Sequence, residues 1–363
     1  MIKFKLYIII VSLCFFLSCV ENHNPFVHED VDISSVDIGE VRDLYFYNDT
    51  LFVATEAQGV YVYDVSDVNN LQEIYSNAIW GLGKDIRSIY FSDNSKMLYA
   101  LDRFGYTYHG YLPVLLDESN GVDTLFSNQC SVSNFHATRM FIDDSNSFPE
   151  AYILHKHNAD IELYTDSSYS QIDYMIYNPV PFDPALDGLF NLFFTDCTQS
   201  ILDTGLVRLD YNINDMHFDN NKFFIANENN FEIYQKFGGL IDSREFEKEI
   251  LSVYSKNNVL IVGMRDVGCY ITLLSGNSIS DDSSDILSIA EDFTIYNIEY
   301  NSQYQKLILS VGGKGVLIYD WDGQSSNIAF NMRLLSSYSF SAEFIDQNSI
   351  IVATKNGLEL FNF

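Results

Sequence analysis

The side chains best suited to metal chemistry are His155 and His157, which flank Lys156 and precede Asp160. Alternate residues of a strand project to one face, so two imidazoles at this spacing can converge on one ion. A solvated strand end would show the same spacing. Two acidic runs, Asp143-Asp144 and Asp281-Asp282-Ser283-Ser284-Asp285, carry the hard oxygen ligands that calcium takes. They lack the ordered spacing of a known calcium loop, and solvated turns are the plain alternative. Calcium apart, no cofactor is expected. No G-x-S-x-G, H-E-x-x-H, G-K-[ST] or C-x-x-C occurs, which removes support for a hydrolase elbow, a zincin, a phosphate loop or a zinc ribbon. The run GGKG at Gly312–Gly315 has no hydroxyl residue after its lysine and reads as a turn between strands. No catalytic residue is therefore assigned.

Whatever chemistry the chain performs must be positioned by a repeated unit. An alternating strand leads through a short polar turn to an apolar strand, and a small residue or Asn then opens a third strand rich in Tyr, Val and Ile. RDLYFYNDTLFVATEAQGVYVYDV from Arg42 is the first copy, and LSVYSKNNVLIVGMRDVGCYITLL from Leu251 is the fifth. SAEFIDQNSIIVATKNGLELFNF, from Ser341 to the terminus, is the last. The looser third copy takes RMFIDD from Arg139, AYILH from Ala151 and IELYTD from Ile161. The third strands open at Gly59, Gly105, Asp160, Asn230, Gly268, Gly315 and Gly357, which are 46, 55, 70, 38, 47 and 42 residues apart. Four of these spacings match one four-stranded blade of a β-propeller, and the two long ones indicate insertions.

Both faces of strands such as GVYVYDV are mostly apolar, as expected of sheets stacked between sheets. The turns YNDT, SDNS, DNNK, SKNN and DQNS supply residues that tolerate left-handed backbone. Gly59, Gly315 and Gly357 are expected at positive φ or where blades approach closely. The last unit stops at its third strand, and VDISSVDI, from Val31 to Ile38, precedes the first unit as an unassigned strand. An N-terminal strand that completes the last blade would close a ring and remove its exposed edges. The expectation is an all-β, seven-bladed propeller over residues 31–363, with an insertion around 167–213 where the rhythm fails at NPVPFDPALDG. A shorter excursion, Pro113 to Phe135, carries Cys130.

The units LFVATEAQGVYVYDVSD and IIVATKNGLELFNF resemble those of the LVIVD-repeat propellers, a family of bacterial secreted proteins. The resemblance implies seven blades and brings no common activity or catalytic residue. The sialidase Asp-box and the WD40 signature are missing, and the two tryptophans, Trp80 and Trp321, are too few for a quinoprotein with a docking tryptophan in each blade.

Residues 1–18 read as a signal peptide: Lys3 and Lys5 precede an apolar run from Leu6 to Leu17, too short to span a bilayer as a helix. Phe16-Leu17-Ser18-Cys19 resembles the lipobox of bacterial lipoproteins, with Phe16 and Leu17 departing from its usual residues. Cys19 is the expected lipid-bearing first residue, residues 19–30 are a tether, and the outer membrane of the cell envelope is the expected location, on its periplasmic or its exposed side. Loss of residues 1–18 moves the formal charge from -30 to -32. So acidic a surface repels nucleic acid and excludes it as a partner. Cys130, Cys197 and Cys269 remain and permit at most one bridge; Cys130 with Cys197 is preferred, because both fall in irregular stretches.

Two functions follow. The first is a non-enzymatic interaction module that offers one propeller face to a protein or glycan. The second is a propeller hydrolase, of lactonase or glycan-cleaving type, with Asp43, Arg87, Asp215 and Glu299 converging in the central channel. Converging acids with perturbed pKa values favour the second, and a channel filled by apolar or loop residues favours the first.

Overall fold

The computed structural model describes residues 31–363 except 77–84, 95, 104–105, 112–127, 132–136, 144–149, 156–187, 194–197, 202–212, 236–239, 277, 280–286 and 324–327. Among the described residues there is no helix, and every strand pairing is antiparallel. Strand β1 (Asp32–Val36) comes first. The first sheet holds β2 (Val41–Tyr47), β3 (Thr50–Thr55), β4 (Gly59–Asp64) and β5 (Gln72–Ser76). The second holds β6 (Ile86–Ser92), β7 (Met97–Asp102), β8 (Tyr106–Tyr111) and β9 (Asn128–Ser131). The third holds β10 (Ala137–Asp143), β11 (Glu150–His155), β12 (Gly188–Phe193) and β13 (Thr198–Ile201). The fourth holds β14 (Ile213–Asp219), β15 (Lys222–Asn227), β16 (Asn230–Gln235) and β17 (Leu240–Glu245). The fifth has β18 (Ile250–Lys256), β19 (Val259–Met264), β20 (Gly268–Ser275), β21 (Ser278–Ile279) and β22 (Leu287–Ile289). The sixth has β23 (Asn297–Asn301), β24 (Lys306–Ser310), β25 (Val316–Asp320) and β26 (Ala329–Leu334). The seventh has β27 (Ser339–Phe344), β28 (Ser349–Thr354) and β29 (Gly357–Asn362), with β1 as its fourth strand.

The residue types explain the local geometry. Tight turns between first and second strands need two consecutive left-handed residues, and among residues with a side chain Asn and Asp take that conformation most readily. Asn48-Asp49 (φ 45 and 58), Asn220-Asn221 (φ 50 and 59) and Asn257-Asn258 (φ 54 and 66) supply them. The second strands are the driest: all six residues of TLFVAT, VLIVGM and SIIVAT are buried. Such strands have a sheet against each face, and their side chains form cores shared by neighbouring sheets. Leu44, Val53 and Tyr61 of the first sheet pack with Ile351, Ala353 and Leu360 of the seventh. Phe52 and Val62 pack with Phe91 and Leu98 of the second. Each such side chain contributes about 1.5–3 kcal/mol by leaving water.

The first strands of successive sheets also touch: β2 lies against β6, β6 against β10, β10 against β14, β14 against β18, β18 against β23, β23 against β27, and β27 against β2. They surround a central space. In six of the seven, the register with the second strand shifts by one residue near the start, at Arg42, Arg87, Thr138, Asn214, Leu251 and Phe340. Bulges of this kind re-aim the residues that follow.

The N-terminal segment pairs as its sequence suggests. Asp32 to Val36 run antiparallel to Asn362 to Leu358, so β1 completes the sheet that the C terminus leaves at three strands. The joint is close: a Cβ on Gly357 (φ +129) would lie 2.0 Å from the Val36 carbonyl oxygen. Gly315 meets Leu334 in the same way, at 2.0 Å, so β1 occupies the place that β26 takes in the sixth sheet. Gly59, Gly315 and Gly357 all have positive φ. The GGKG run is a turn between β24 and β25, closed by Gly315 N–H donating to the Gly312 carbonyl at 2.9 Å.

The third unit departs from expectation. Residues 161–166, expected as its third strand, lie outside the described residues, and β12 is the strand that pairs with β11. Two strands, β12 and β13, thus fall inside the span 167–213 that the broken rhythm marks as an insertion. Cys130 lies on β9, paired opposite Thr107, rather than in an irregular stretch. Cys197 is outside the described residues, and Cys269 is a buried free thiol.

Replacing Gly357 with Ala forces both a disfavoured φ and a collision with backbone, and is expected to cost about 2 kcal/mol or more. At Gly276 (φ +66) an added Cβ meets nothing within 4 Å, and Ala there is expected to cost about 1 kcal/mol or less. Urea unfolding of the two variants measures the difference, and equal losses would remove the tight β1–β29 joint.

Candidate functional site

The residue just after each bulge faces the next sheet's first strand, and the residue two further on faces the same way. The first position holds Asp43, Ser88, Arg139, Asp215, Ser252, Asn297 and Ser341 around the cycle, and the second holds Tyr45, Tyr90, Phe141, His217, Tyr254, Glu299 and Glu343. Asn297, Glu299 and their neighbours keep this order without a bulge in β23.

Asp43 and Asp215 are consumed in holding strands together. The Ser88 hydroxyl and the Ile89 N–H each donate to Asp43 Oδ2 at 3.0 Å, across the boundary between the first two sheets. Val253 N–H donates to Asp215 Oδ2 at 2.9 Å, and Arg139 pairs with the other oxygen of Asp215. Burial raises the Asp43 pKa, opposed by Arg139 and by these hydrogen bonds. Burial also disfavours the charged form of Arg139, but Asp215, Asp43 and Glu299 more than reverse this and raise its pKa. The guanidinium stands 5.5 Å from the Phe141 ring centre.

Glu299 and Glu343 are differently placed. Burial pushes the Glu299 carboxyl up to about 7; Lys256 and Arg139 act against the rise and Asp43 adds to it. Burial, Glu299 and Asp43 together raise Glu343 well above the ordinary carboxyl range, and no hydrogen bond reaches its carboxylate among the described residues. His217 is held down to about 3 by burial and by the Arg139 charge, so its ring stays neutral. That ring lies 4.8 Å from Tyr254 and 5.9 Å from Phe141, and Tyr45 lies 4.9 Å from Tyr90.

Of the residues named from the sequence, Asp43, Asp215 and Glu299 all act on the charge of Arg139. As the bulged residue of β6, Arg87 turns away from the centre and pairs with Asp85 at 2.5 Å and with Glu56 at 4.0 Å. Its counterpart in the first sheet is Arg42, which the RDLYF and RSIYF runs place in the same column. Reading the units column by column would also have put Glu343 beside Glu299 and marked Arg139; the one-residue bulge shift hid this.

Arg87 joins a second cluster, at the edge where the first strands begin. Arg42 pairs with Glu40 and Glu56 at 2.8 Å each and stands 5.4 Å from the Phe340 ring centre. Phe340 packs on Tyr338 at 5.0 Å, Tyr338 on Tyr296 at 6.0 Å, and Lys355 Nζ lies 4.3 Å from the centre of Tyr338. Burial and a hydrogen bond shared with Glu56 raise the Glu40 pKa. Tyr296 is 39% exposed, and Leu335, three residues before Tyr338 in the chain, is 50% exposed.

His155 ends β11, opposite Ala137 and Gly188, while His157, Asp281, Asp282 and Asp285 lie outside the described residues, as does Cys19. Among the described residues no three His, Cys, Asp or Glu side chains gather as metal ligands, and no helix is long and apolar enough to cross a membrane.

No protein-family model and no curated protein matches the chain. Solved structures do. The WD40 β-propeller domain of Doa1 superposes with a TM-score of 0.55 at 11% identity, covering 91% of this chain and 95% of that one. A computationally designed protein, Ika8, gives a TM-score of 0.54 at 10% identity, covering 91% and 98%. At such identities the likeness is one of fold, and the fold is that of a β-propeller.

An acid whose folded pKa lies near 7 instead of 4.5 lowers stability as pH rises from 4.5 to 7, and the penalty is then constant above 7 and absent below 4.5. Glu299→Gln is therefore expected to stabilise the protein at pH 8, on the order of 2 kcal/mol, and to change nothing at pH 4. Urea midpoints at the two pH values test this, and equal shifts at both would contradict it. Arg139→Met, which leaves Asp215 and Asp43 uncompensated, is expected to cost about 3–5 kcal/mol in the same assay.

Proposed function

We propose that the chain is a lipid-anchored, seven-bladed propeller of the LVIVD-repeat kind, closed by β1, that serves as a non-enzymatic interaction module of the bacterial envelope and binds a protein or glycan. Cys19 is its lipid-bearing residue and the outer membrane its location. The observation that carries the binding reading is the edge cluster of Tyr296, Tyr338, Phe340, Leu335, Arg42 and Lys355. Tyr296 is exposed and Tyr338 and Phe340 are half-buried; aromatic rings with Arg and Lys are the side chains that dominate recognition surfaces, because they contribute large contact area and directed charge at low entropic cost. Arg42 lies against Phe340 and Lys355 against Tyr338, so this edge offers both charge and ring surface to a partner.

A second reading draws support from Glu299 and Glu343. Two acids with raised pKa values on adjacent inner strands suit a general acid and its partner in hydrolysis of a lactone or glycoside. It predicts turnover of a chromogenic lactone or glycoside that Glu299→Gln abolishes. No turnover by the wild type, or unchanged turnover in the variant, rules it out.

For the binding reading, soluble protein beginning at residue 20 is expected to be retained on envelopes of the producing bacterium, with Arg42→Ala and Tyr338→Ala combined weakening retention at least tenfold. Lys96→Ala, far from the cluster, is the control, and equal retention of both would refute the docking face. Full-length Cys19→Ala is expected to leave the membrane pellet and to take up no labelled palmitate. If it stays in the pellet, the anchor is wrong.

A further inference from the structure

The seven equivalent inner positions around the central space hold five rings and two carboxylates: Tyr45, Tyr90, Phe141, His217 and Tyr254, then Glu299 and Glu343. Six of these seven side chains, all but Tyr254, keep part of their surface open although they lie in the middle of the molecule. Such residual exposure means that open space runs between them.

The charges around that space do not balance. Facing it are Asp43 from β2, Asp215 and Asp219 from β14, Glu299 from β23 and Glu343 from β27, against Arg139 from β10 and Lys256 from β18. Arg139 is shared by Asp215 and Asp43, and Lys256 acts on Asp219 and Glu299. Among the described residues Tyr45, Tyr90, His217 and Tyr254 are the further titratable groups at the inner positions, and His217 is neutral. Glu343 is left with neighbouring acids and no cation among the described residues.

We propose that this space is a receptor for one small organic cation, an alkylammonium group, held between the carboxylates of Glu299 and Glu343 and the rings of Tyr254, His217 and Tyr45. Aromatic faces attract cations through their quadrupole, and desolvation strengthens the attraction, which is how quaternary and primary ammonium groups are recognised in aromatic cages. The protein already places one cation of its own in such a setting: Arg139 sits 5.5 Å from the centre of Phe141 in the same ring of side chains. A metal ion is the poorer occupant, because calcium takes six to eight oxygen ligands and this ring offers mostly carbon faces. The ammonium supplies the missing positive charge, so its binding favours ionised glutamates and releases protons. Occupancy therefore rises with pH through about 7, where Glu299 loses its proton, while the amine remains charged. The site is separate from the edge cluster, and its failure leaves the docking reading intact.

Titration calorimetry of the soluble chain with butylammonium chloride tests the proposal, with calcium chloride as the competing probe. The expected result is one saturable site, at least fivefold tighter at pH 8 than at pH 6. Glu343→Gln and Glu299→Gln should each weaken it at least tenfold and Tyr254→Leu at least fivefold. The two Gln variants remove buried acids without changing shape, so they are expected to stay folded, and urea unfolding verifies it. Absence of saturable heat, unchanged binding in folded Glu343→Gln, or calcium displacing butylammonium would each overturn the proposal.

Discussion

The rest of the structure depends on the antiparallel pairing of Asp32–Val36 with Gly357–Asn362. Each sheet buries its apolar second strand because a neighbour covers each face, and the seventh sheet is covered in the same way. It leans on the first, where Leu358 and Leu360 meet Leu44 and Val53. Without β1, the outer edge of β29 would present unpaired backbone groups to solvent. The pairing ties the two ends of the chain together, so the cores on either side of it are stabilised by residues more than three hundred positions apart.

The centre carries a different kind of constraint. Besides ring contacts, two carboxylates, Asp43 and Asp215, bridge the inner strands by accepting backbone N–H groups of the next strand. A hydrogen bond to a charged group contributes about 1.5–3 kcal/mol, enough to justify burying the charge when a guanidinium is at hand. Arg139 provides it for both. Glu299 and Glu343 take no part in this work, and a folded protein that retains two costly buried acids does so against its stability. Functional groups are commonly held at that expense.

Much of the architecture is legible in particular residues. Asn48-Asp49, Asn220-Asn221 and Asn257-Asn258 mark hairpins, and Gly315 and Gly357 mark close approaches of backbone. The apolar runs TLFVAT and SIIVAT mark strands covered on both sides. The site was legible only in part. Asp43, Asp215 and Glu299 act on one guanidinium, that of Arg139. Arg87 is not among them, because a one-residue bulge turns it to the edge and sets Ser88 opposite Asp43. The third unit misled for a related reason: alternation is as evident at Ile161 as at Gly188, and only pairing with β11 distinguishes them.

By itself the sequence determined the repeat, the strand class, the turn chemistry and the strand left over at the N terminus, because each is written in neighbours a few residues apart. Tertiary structure decided which charges share a space. Whether Glu343 meets Arg139 or Glu299 depends on the order of strands around the centre and on bulges that shift facing by one residue, and a Coulomb interaction across the cycle leaves no trace in local spacing.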